Sequence, residues 1–317
     1  MEIAINTQAS KEQFLLNYKD CLIYIKRDDL LHPEISGNKW RKLKYHIDDF
    51  YQGGYEQVLT FGGAFSNHLA ATAAWGELAG VSTHALIRGE EDMDSPTLAF
   101  CRKKGMRLEG ISRSSYRTKE DPEFLESLRD WLPGLYIIPE GGKGPQALKG
   151  CAEIKSELTE HYDFIAVSAG TGATAAGVLS ALDKEQLWVY PALKSESFMA
   201  KAIMNQVLDY YRHYGIKEPN FRDLQARLKL RHDYHFGGYA KINEDLVRFM
   251  NESYDESQVK LDPVYTAKML FGLLKDIDQG LLKAGSRILV LHTGGLQGIK
   301  GMNRQLVKKG KALIKYE

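Results

Sequence analysis

One unit, repeated along the chain, limits what it can fold into. A short apolar run ends in glycine, and a longer stretch with helical spacing follows. Val58-Leu59-Thr60-Phe61 ends at Gly62-Gly63 and leads into an Ala-rich segment from about Asn67 to Ala79. Asp163 to Val167 ends at a Gly-rich run, and Arg287 to Leu291 ends near Gly294-Gly295. Ile23 to Ile25, Thr83 to Ile87, Arg107 to Ile111, Leu135 to Ile138 and Leu187 to Tyr190 are further short runs. Helical patterns intervene, one of them around Pro96 to Lys104. Strands that alternate with helices in this way predict an α/β protein with parallel sheet. Ligands of such sheets bind at the carboxyl ends of strands. Gly62-Gly63, Gly170 to Thr174 and Gly294-Gly295 are therefore the candidate corners.

Two segments depart from the unit. The polar stretch Ser112 to Glu123 reads as a mobile surface segment. The insertion from Lys194 to Val259 reads as mostly helical, with Phe198, Ala202, Ile203, Val207 and Tyr210 on a buried stripe.

The segment Ser36-Gly37-Asn38-Lys39-Trp40-Arg41-Lys42-Leu43-Lys44-Tyr45 breaks an electrostatic rule. Trp40, Leu43, Ile47 and Phe50 have helical spacing, and Gly53-Gly54 supplies a stop. Four cations then crowd the start of a helix, where acidic residues are favoured. An amine held among other cations has its pKa pushed down, and a partly neutral lysine suits Schiff-base and proton-transfer chemistry. A solvated basic helix face is the alternative for this stretch taken alone.

Bulk numbers narrow the field. Lys+Arg 42 against Asp+Glu 41 gives a net charge of +1, which offers nothing to nucleic acid or a membrane surface. The opening residues from Met1 to Asn6 lack a signal-peptide pattern, and no run has transmembrane length. Cys21, Cys101 and Cys151 have no metal-ligand spacing and predict free thiols in a reducing cytosol. No metal site is expected.

Four stretches could carry chemistry. Ser168-Ala169-Gly170-Thr171-Gly172-Ala173-Thr174-Ala175-Ala176-Gly177 follows a strand and opens a helix. Its small residues let backbone N–H groups converge on a phosphate, helped by the helix dipole; a tight turn chosen for packing is the alternative. In Gly62 to His68, Ser66 or Asn67 caps the next helix or meets a carboxylate, while His68 is either a general acid or a satisfied helix-start histidine. Asp262-Pro263 starts a helix whose Tyr265 either packs in the core or faces a planar ligand. Leu291-His292-Thr293-Gly294-Gly295 puts a hydroxyl at a strand end. Tyr239 sits beside Gly237 and Gly238, which free the backbone to approach a ligand.

Together, and in this order, Gly37 to Leu43, Gly62-Gly63 to His68, Pro139-Glu140-Gly141-Gly142, Gly170 to Gly177, Asp262 to Thr266 and His292 to Gly295 resemble one family. It is the D-cysteine desulfhydrase / 1-aminocyclopropane-1-carboxylate deaminase family of pyridoxal-phosphate enzymes. The resemblance implies the α/β fold of the tryptophan-synthase-β type, with two open, twisted, mainly parallel sheets flanked by helices. A small domain, residues 43–141, would be inserted in a large cofactor-binding domain, residues 1–42 and 142–317. The implied cofactor is pyridoxal 5'-phosphate.

Position by position, the resemblance makes Lys39 the Schiff-base lysine and the base at Cα. Asn67 would meet the cofactor's phenolic oxygen, and Ala169, Gly170, Thr171, Gly172, Ala173 and Thr174 its phosphate. Tyr265 would stack on the ring, and Thr293 would face the ring nitrogen. Ser66, Asn67, His68, Tyr239 and Thr266 would lie on the substrate side, with Tyr239 or Tyr265 assisting proton transfer. Arg41 and Lys42 are candidates to lower the Lys39 pKa or to balance the phosphate.

The implied reaction is α,β-elimination from a small amino acid, D-cysteine giving pyruvate, hydrogen sulfide and ammonia. The alternative is deamination of 1-aminocyclopropane-1-carboxylate to 2-oxobutyrate and ammonia. Deaminases of that substrate carry Glu where this chain has Thr266. A non-catalytic metabolite-binding protein on the same fold is a third reading, which an intact Lys39 disfavours. Two positions depart from the family pattern near the substrate: Ala71, where Gln is usual, and Ala240-Lys241-Ile242 after Tyr239. The resemblance also implies a cytoplasmic homodimer.

Overall fold

A computed structural model describes residues 5–89, 93–194 and 198–316. Met1 to Ala4, part of the start read as lacking a signal peptide, lie outside the described residues. So do Ser195 to Ser197, at the head of the insertion read as helical.

The chain opens with a hairpin, β1 (Glu12–Tyr18) and β2 (Cys21–Lys26), then α1 (Asn38–Gln52). A second block follows: β3 (Gln57–Gly62), α2 (Asn67–Ala79), β4 (Ser82–Arg88), α3 (Pro96–Lys103) and β5 (Arg107–Ile111). It continues with α4 (Arg113–Arg117), α5 (Pro122–Trp131) and β6 (Leu135–Ile138). Next come α6 (Pro145–Ser156), β7 (Phe164–Ala169), α7 (Ala173–Ala181), β8 (Gln186–Pro191), α8 (Met199–His213), α9 (Phe221–Arg227) and β9 (Leu228–Leu230). The chain finishes with α10 (Glu244–Ser257), α11 (Thr266–Asp278), β10 (Arg287–Leu291) and α12 (Gly298–Lys308).

These strands form two sheets. One has the order β1-β2-β10-β7-β8-β9, the other β5-β4-β3-β6. All pairings are parallel except β1 with β2. The chain leaves the first sheet after β2, builds the whole second sheet, and returns at β7.

Pleating explains why the first sheet is covered on both faces. Successive side chains of a strand point to opposite sides. Ile288 and Val290 of β10 join a core with Met269, Leu270 and Leu273 of α11. Leu289 and Leu291 join another with Val178 and Leu179 of α7 and Ile203 of α8. Each fully buried Ile or Leu contributes roughly 1.5–3 kcal/mol, so strands apolar at every position belong in the middle of such a sheet.

Two expectations are corrected. The stretch Ser112 to Glu123 contains α4, capped by the Ser112 hydroxyl, which accepts from the Ser115 N–H. Its Tyr116 is buried edge-on against Phe61, so this polar segment is pinned rather than mobile. Phe198 was expected on a buried stripe but is 58% exposed. It precedes α8, whose inward face is Ile203, Met204 and Val207.

Helix α6 braces the start of the lysine helix. A Cβ at Gly150 would stand 1.9 Å from the Arg41 carbonyl oxygen, so the two helices cross backbone to backbone there. Lys44 and Tyr45 of α1 both donate to Glu153 of α6. The three cysteines are free and buried. Among the described residues no helix is long and apolar enough to cross a membrane.

Candidate active site

A cavity of about 470 Å³ lies where the carboxyl ends of the two sheets meet. Its walls come from the loops after β2, β3, β6, β7 and β10, the placement expected of ligand sites in parallel sheets.

Lys39 enters it from the first turn of α1. Gly37 makes that approach possible: its φ is +64°, and a Cβ there would lie 2.1 Å from the Thr293 carbonyl oxygen. The Asn38 N–H donates to that same oxygen at 3.3 Å. The Lys39 amine donates to Asn38 Oδ1, and Asn38 Nδ2 donates to Thr174 Oγ1 at 2.8 Å. Asn38 thus joins the lysine to the glycine loop. Burial, and then the charge of Lys42, push the Lys39 amine down to about 7. Lys42 lines the same cavity and is also lowered by burial.

Arg41 is a correction. It points away from the cavity and is clamped between Asp28 and Glu157, with Nη2 donating to both at 2.8 Å. It neither lowers the Lys39 pKa nor faces a phosphate. Lys42 alone of the two fills the expected place.

The loop from Ala169 to Gly172 turns from β7 into α7, with Gly172 at φ +84°. Ala169, Gly170, Thr171, Gly172 and Thr174 line the cavity, while Ala173 closes the loop from behind as the first residue of α7. A Cβ at Gly170 would lie 3.1 Å from the Tyr265 hydroxyl, so glycine lets that ring close on the loop. Tyr265 and Tyr239 meet edge to face, 6.2 Å between ring centres. Burial drives the Tyr265 phenol well above its ordinary pKa, which keeps its proton in place.

Ser66 caps α2, its hydroxyl accepting from the Leu69 N–H at 3.4 Å. The positive end of α2, with Ser66, Asn67 and His68, thereby faces the cavity. His68 is a neutral imidazole, held far below its ordinary pKa by burial and then by Lys39. Thr60 Oγ1 donates to the Ile138 carbonyl at 2.8 Å and so accepts from His68 Nε2–H, also at 2.8 Å. The His68 proton therefore points away from the cavity. Its Nε2 is bonded while its Nδ1 has no partner among the described residues, so the imidazole is half satisfied.

Thr293 lines the cavity after β10. Its turn is oriented by buried His292, which bonds the Lys260 carbonyl through Nε2 at 2.7 Å and accepts from the Gly294 N–H at 3.2 Å. Thr266 is fully buried in the first turn of α11 and is not among the residues lining the cavity. Asp262 accepts from the N–H groups of Val264, Tyr265 and Thr266, so its carboxylate is spent on starting α11.

Several cavity residues have no role drawn from the sequence, among them Asn38, Glu140, Ser168 and Arg88. Glu140 accepts from the Tyr116 hydroxyl at 2.8 Å and pairs with Lys119 at 3.3 Å. Its position in Pro139-Glu140-Gly141-Gly142 was a usable signal. Ser168 lay in the glycine run but was passed over. Arg88, at the end of β4, carried no signal.

The sequence profile described as "Pyridoxal-phosphate dependent enzyme" matches residues 6–294. The chain belongs to that family. It is 31% identical to a Pyrococcus horikoshii protein named putative 1-aminocyclopropane-1-carboxylate deaminase, over 87% of this chain and 85% of the relative. It is 26% identical to a Serratia proteamaculans D-cysteine desulfhydrase, over 95% and 94%. A solved structure described as an ACC deaminase homologue superposes with a TM-score of 0.82 at 28% identity, covering 94% of this chain and 93% of that one.

The protein is therefore a pyridoxal-phosphate dependent enzyme, and its cavity suits that cofactor. Ser168 and His68 line the cavity, and their Oγ and Nδ1 are buried with no hydrogen-bond partner among the described residues. Two lysines provide positive charge, and a helix start opened by small residues is an anion site. The volume falls in the range of small-molecule sites.

The Lys39 pKa gives a direct expectation. Capture of pyridoxal phosphate by cofactor-free protein should quicken with pH and level off by about pH 8, once the amine is neutral. Stopped-flow absorbance checks this; a rate still climbing tenfold per unit at about pH 9 would indicate an ordinary lysine.

Proposed function

We propose that the protein catalyses α,β-elimination from a small amino acid, with D-cysteine giving pyruvate, hydrogen sulfide and ammonia. The observation that carries this is a near-neutral Lys39 amine in a cavity lined by the hydroxyl residues Tyr265 and Thr293, with the nearby Asp262 carboxylate accepting from the backbone of α11.

In this reading Lys39 bears the cofactor and later holds the proton taken from Cα. The loop from Ala169 to Thr174, with Lys42, receives the phosphate. Asn67 bonds the phenolic oxygen, Tyr265 covers the ring face, and Thr293 faces the ring nitrogen. Ser66 and Asn67, at the positive end of α2, hold the substrate carboxylate. Tyr239 stands on the substrate side, with Tyr239 or Tyr265 supplying a proton. Bound pyridoxal phosphate would supply the electron sink for the pair left at Cα.

Deamination of 1-aminocyclopropane-1-carboxylate to 2-oxobutyrate is the second reading, favoured by the name of the Pyrococcus relative. Thr266 favours elimination on the family resemblance alone, since deaminases of the cyclopropane acid carry Glu at the position after this tyrosine. Supplying D-cysteine, L-cysteine, D-serine and the cyclopropane acid separately decides between them. Pyruvate from D-cysteine is expected; 2-oxobutyrate from the cyclopropane acid alone would overturn the proposal. A homodimer acting in the cytoplasm is part of the reading and rests on the family resemblance; sedimentation tests the dimer.

A further inference from the structure

The loop carrying Tyr239 has a backbone that cannot hold itself. Phe236, Gly237, Gly238 and Ala240 have φ of +55°, +94°, +123° and +53°. For a residue with a Cβ this region is strained, and both Phe236 and Ala240 bear that strain. Local bonds are three: Gly237 N–H donates to His235 Nδ1 at 2.9 Å, Gly238 N–H to the His235 carbonyl at 3.0 Å, and Lys241 N–H to the Gly238 carbonyl at 3.2 Å. Contacts from outside must supply the rest.

Two of them come from α11. Phe236 packs edge-on against Phe271, 5.2 Å between ring centres. Lys268 does more. Its side chain is 2% exposed, and its ammonium donates to the carbonyls of His235 and Gly238, both at 2.9 Å. The first oxygen precedes the left-handed run and the second lies within it, on Gly238 directly before Tyr239. Among the described residues no carboxylate lies within ion-pairing distance of this ammonium. A buried cation with no paired carboxylate is costly, and burial lowers the Lys268 pKa to about 8 against the weaker, opposing charge of Asp262. An apolar side chain would fill the same space at less cost, so the two carbonyl bonds are the physical gain.

We propose that Lys268 is a positioning residue: it ties the loop 235–240 to α11 and so fixes Tyr239 over the cavity, opposite Tyr265 of the same helix start. Both tyrosines are thereby set by one rigid element. The kinetic part of this inference rests on the reading that Tyr239 stands on the substrate side.

Hydrogen exchange and turnover of the holoenzyme test it. Lys268→Met should speed exchange across residues 236–241 by about tenfold or more, with α7 and β10 unchanged. It should raise KM about tenfold with a smaller loss in kcat. Lys268→Arg should recover part of both. Combined with Tyr239→Ala, Lys268→Met should add no further kinetic loss, because the two act through one group. Unchanged exchange in the loop, or losses that simply multiply, would overturn the proposal. If Tyr239→Ala alone leaves turnover intact, the substrate-side reading of Tyr239 fails, and loop exchange then decides for or against Lys268. Should Lys268→Met not fold, Lys268→Gln, with a shorter neutral donor, is read by the same measurements.

Discussion

Lys39→Ala is expected to give a folded protein that is colourless and has lost about 10⁴-fold or more in turnover. Loss of activity and loss of stability should separate here. A lysine whose pKa falls from 10.5 to about 7 on folding opposes folding wherever the unfolded amine is charged, below its ordinary value. The opposition is fully present below about pH 7 and fades as pH rises through 10.5. Removing the amine removes that penalty and the repulsion from Lys42. Asn38 keeps its bond to Thr174, so the link to the glycine loop survives. Unchanged or slightly raised denaturation midpoints at pH 7, with no visible cofactor band, are the expected pair of results.

Arg41→Met should do the opposite: it should cost about 3 kcal/mol of folding free energy without touching a cavity group. The guanidinium is 3% exposed and Asp28 4%, whereas Glu157 is 35% exposed and regains some hydration. Removing the cation strands Asp28 in the interior, where an unpaired charge is expensive. Lys26 still reaches Glu157 at 2.9 Å and softens the loss there. The pH signature follows. Burial alone would raise the Glu157 pKa, but Arg41 and Lys26 hold it down from 4.5 to about 2. That carboxylate therefore supports folding above pH 4.5, and its support disappears as pH falls through about 2. Chemical denaturation at pH 7 and at pH 3 should show the gap between wild type and Arg41→Met narrowing in acid.

Particular residues show what the sequence could reveal. Helix α2 and strand β6 were legible to the residue, because an Ala-rich run behind a capping serine and a bounded apolar run are local signals. Strand β1 was missed: it is an edge strand, with Leu15 its one buried residue. The polar composition of 112–123 concealed α4, since one buried tyrosine fixes that segment through a partner distant in sequence. The cavity residues come from loops spread along the chain and are gathered in the sequence only by motif resemblance. Which cation beside Lys39 turns inward was not legible, because Arg41 is claimed by Asp28 and Glu157, and neither stands near it in the chain. The hidden place of Thr266 was equally invisible, for the turn begun by Asp262 decides which side chain faces out.

The central claim is that Lys39, and not its neighbour Lys42, carries the cofactor, although both amines enter the cavity with lowered pKa values. Borohydride reduction of the holoenzyme followed by peptide mapping tests it most directly. A stable pyridoxyl adduct confined to Lys39 is the expected result; an adduct on Lys42, or none on either lysine, would contradict the account.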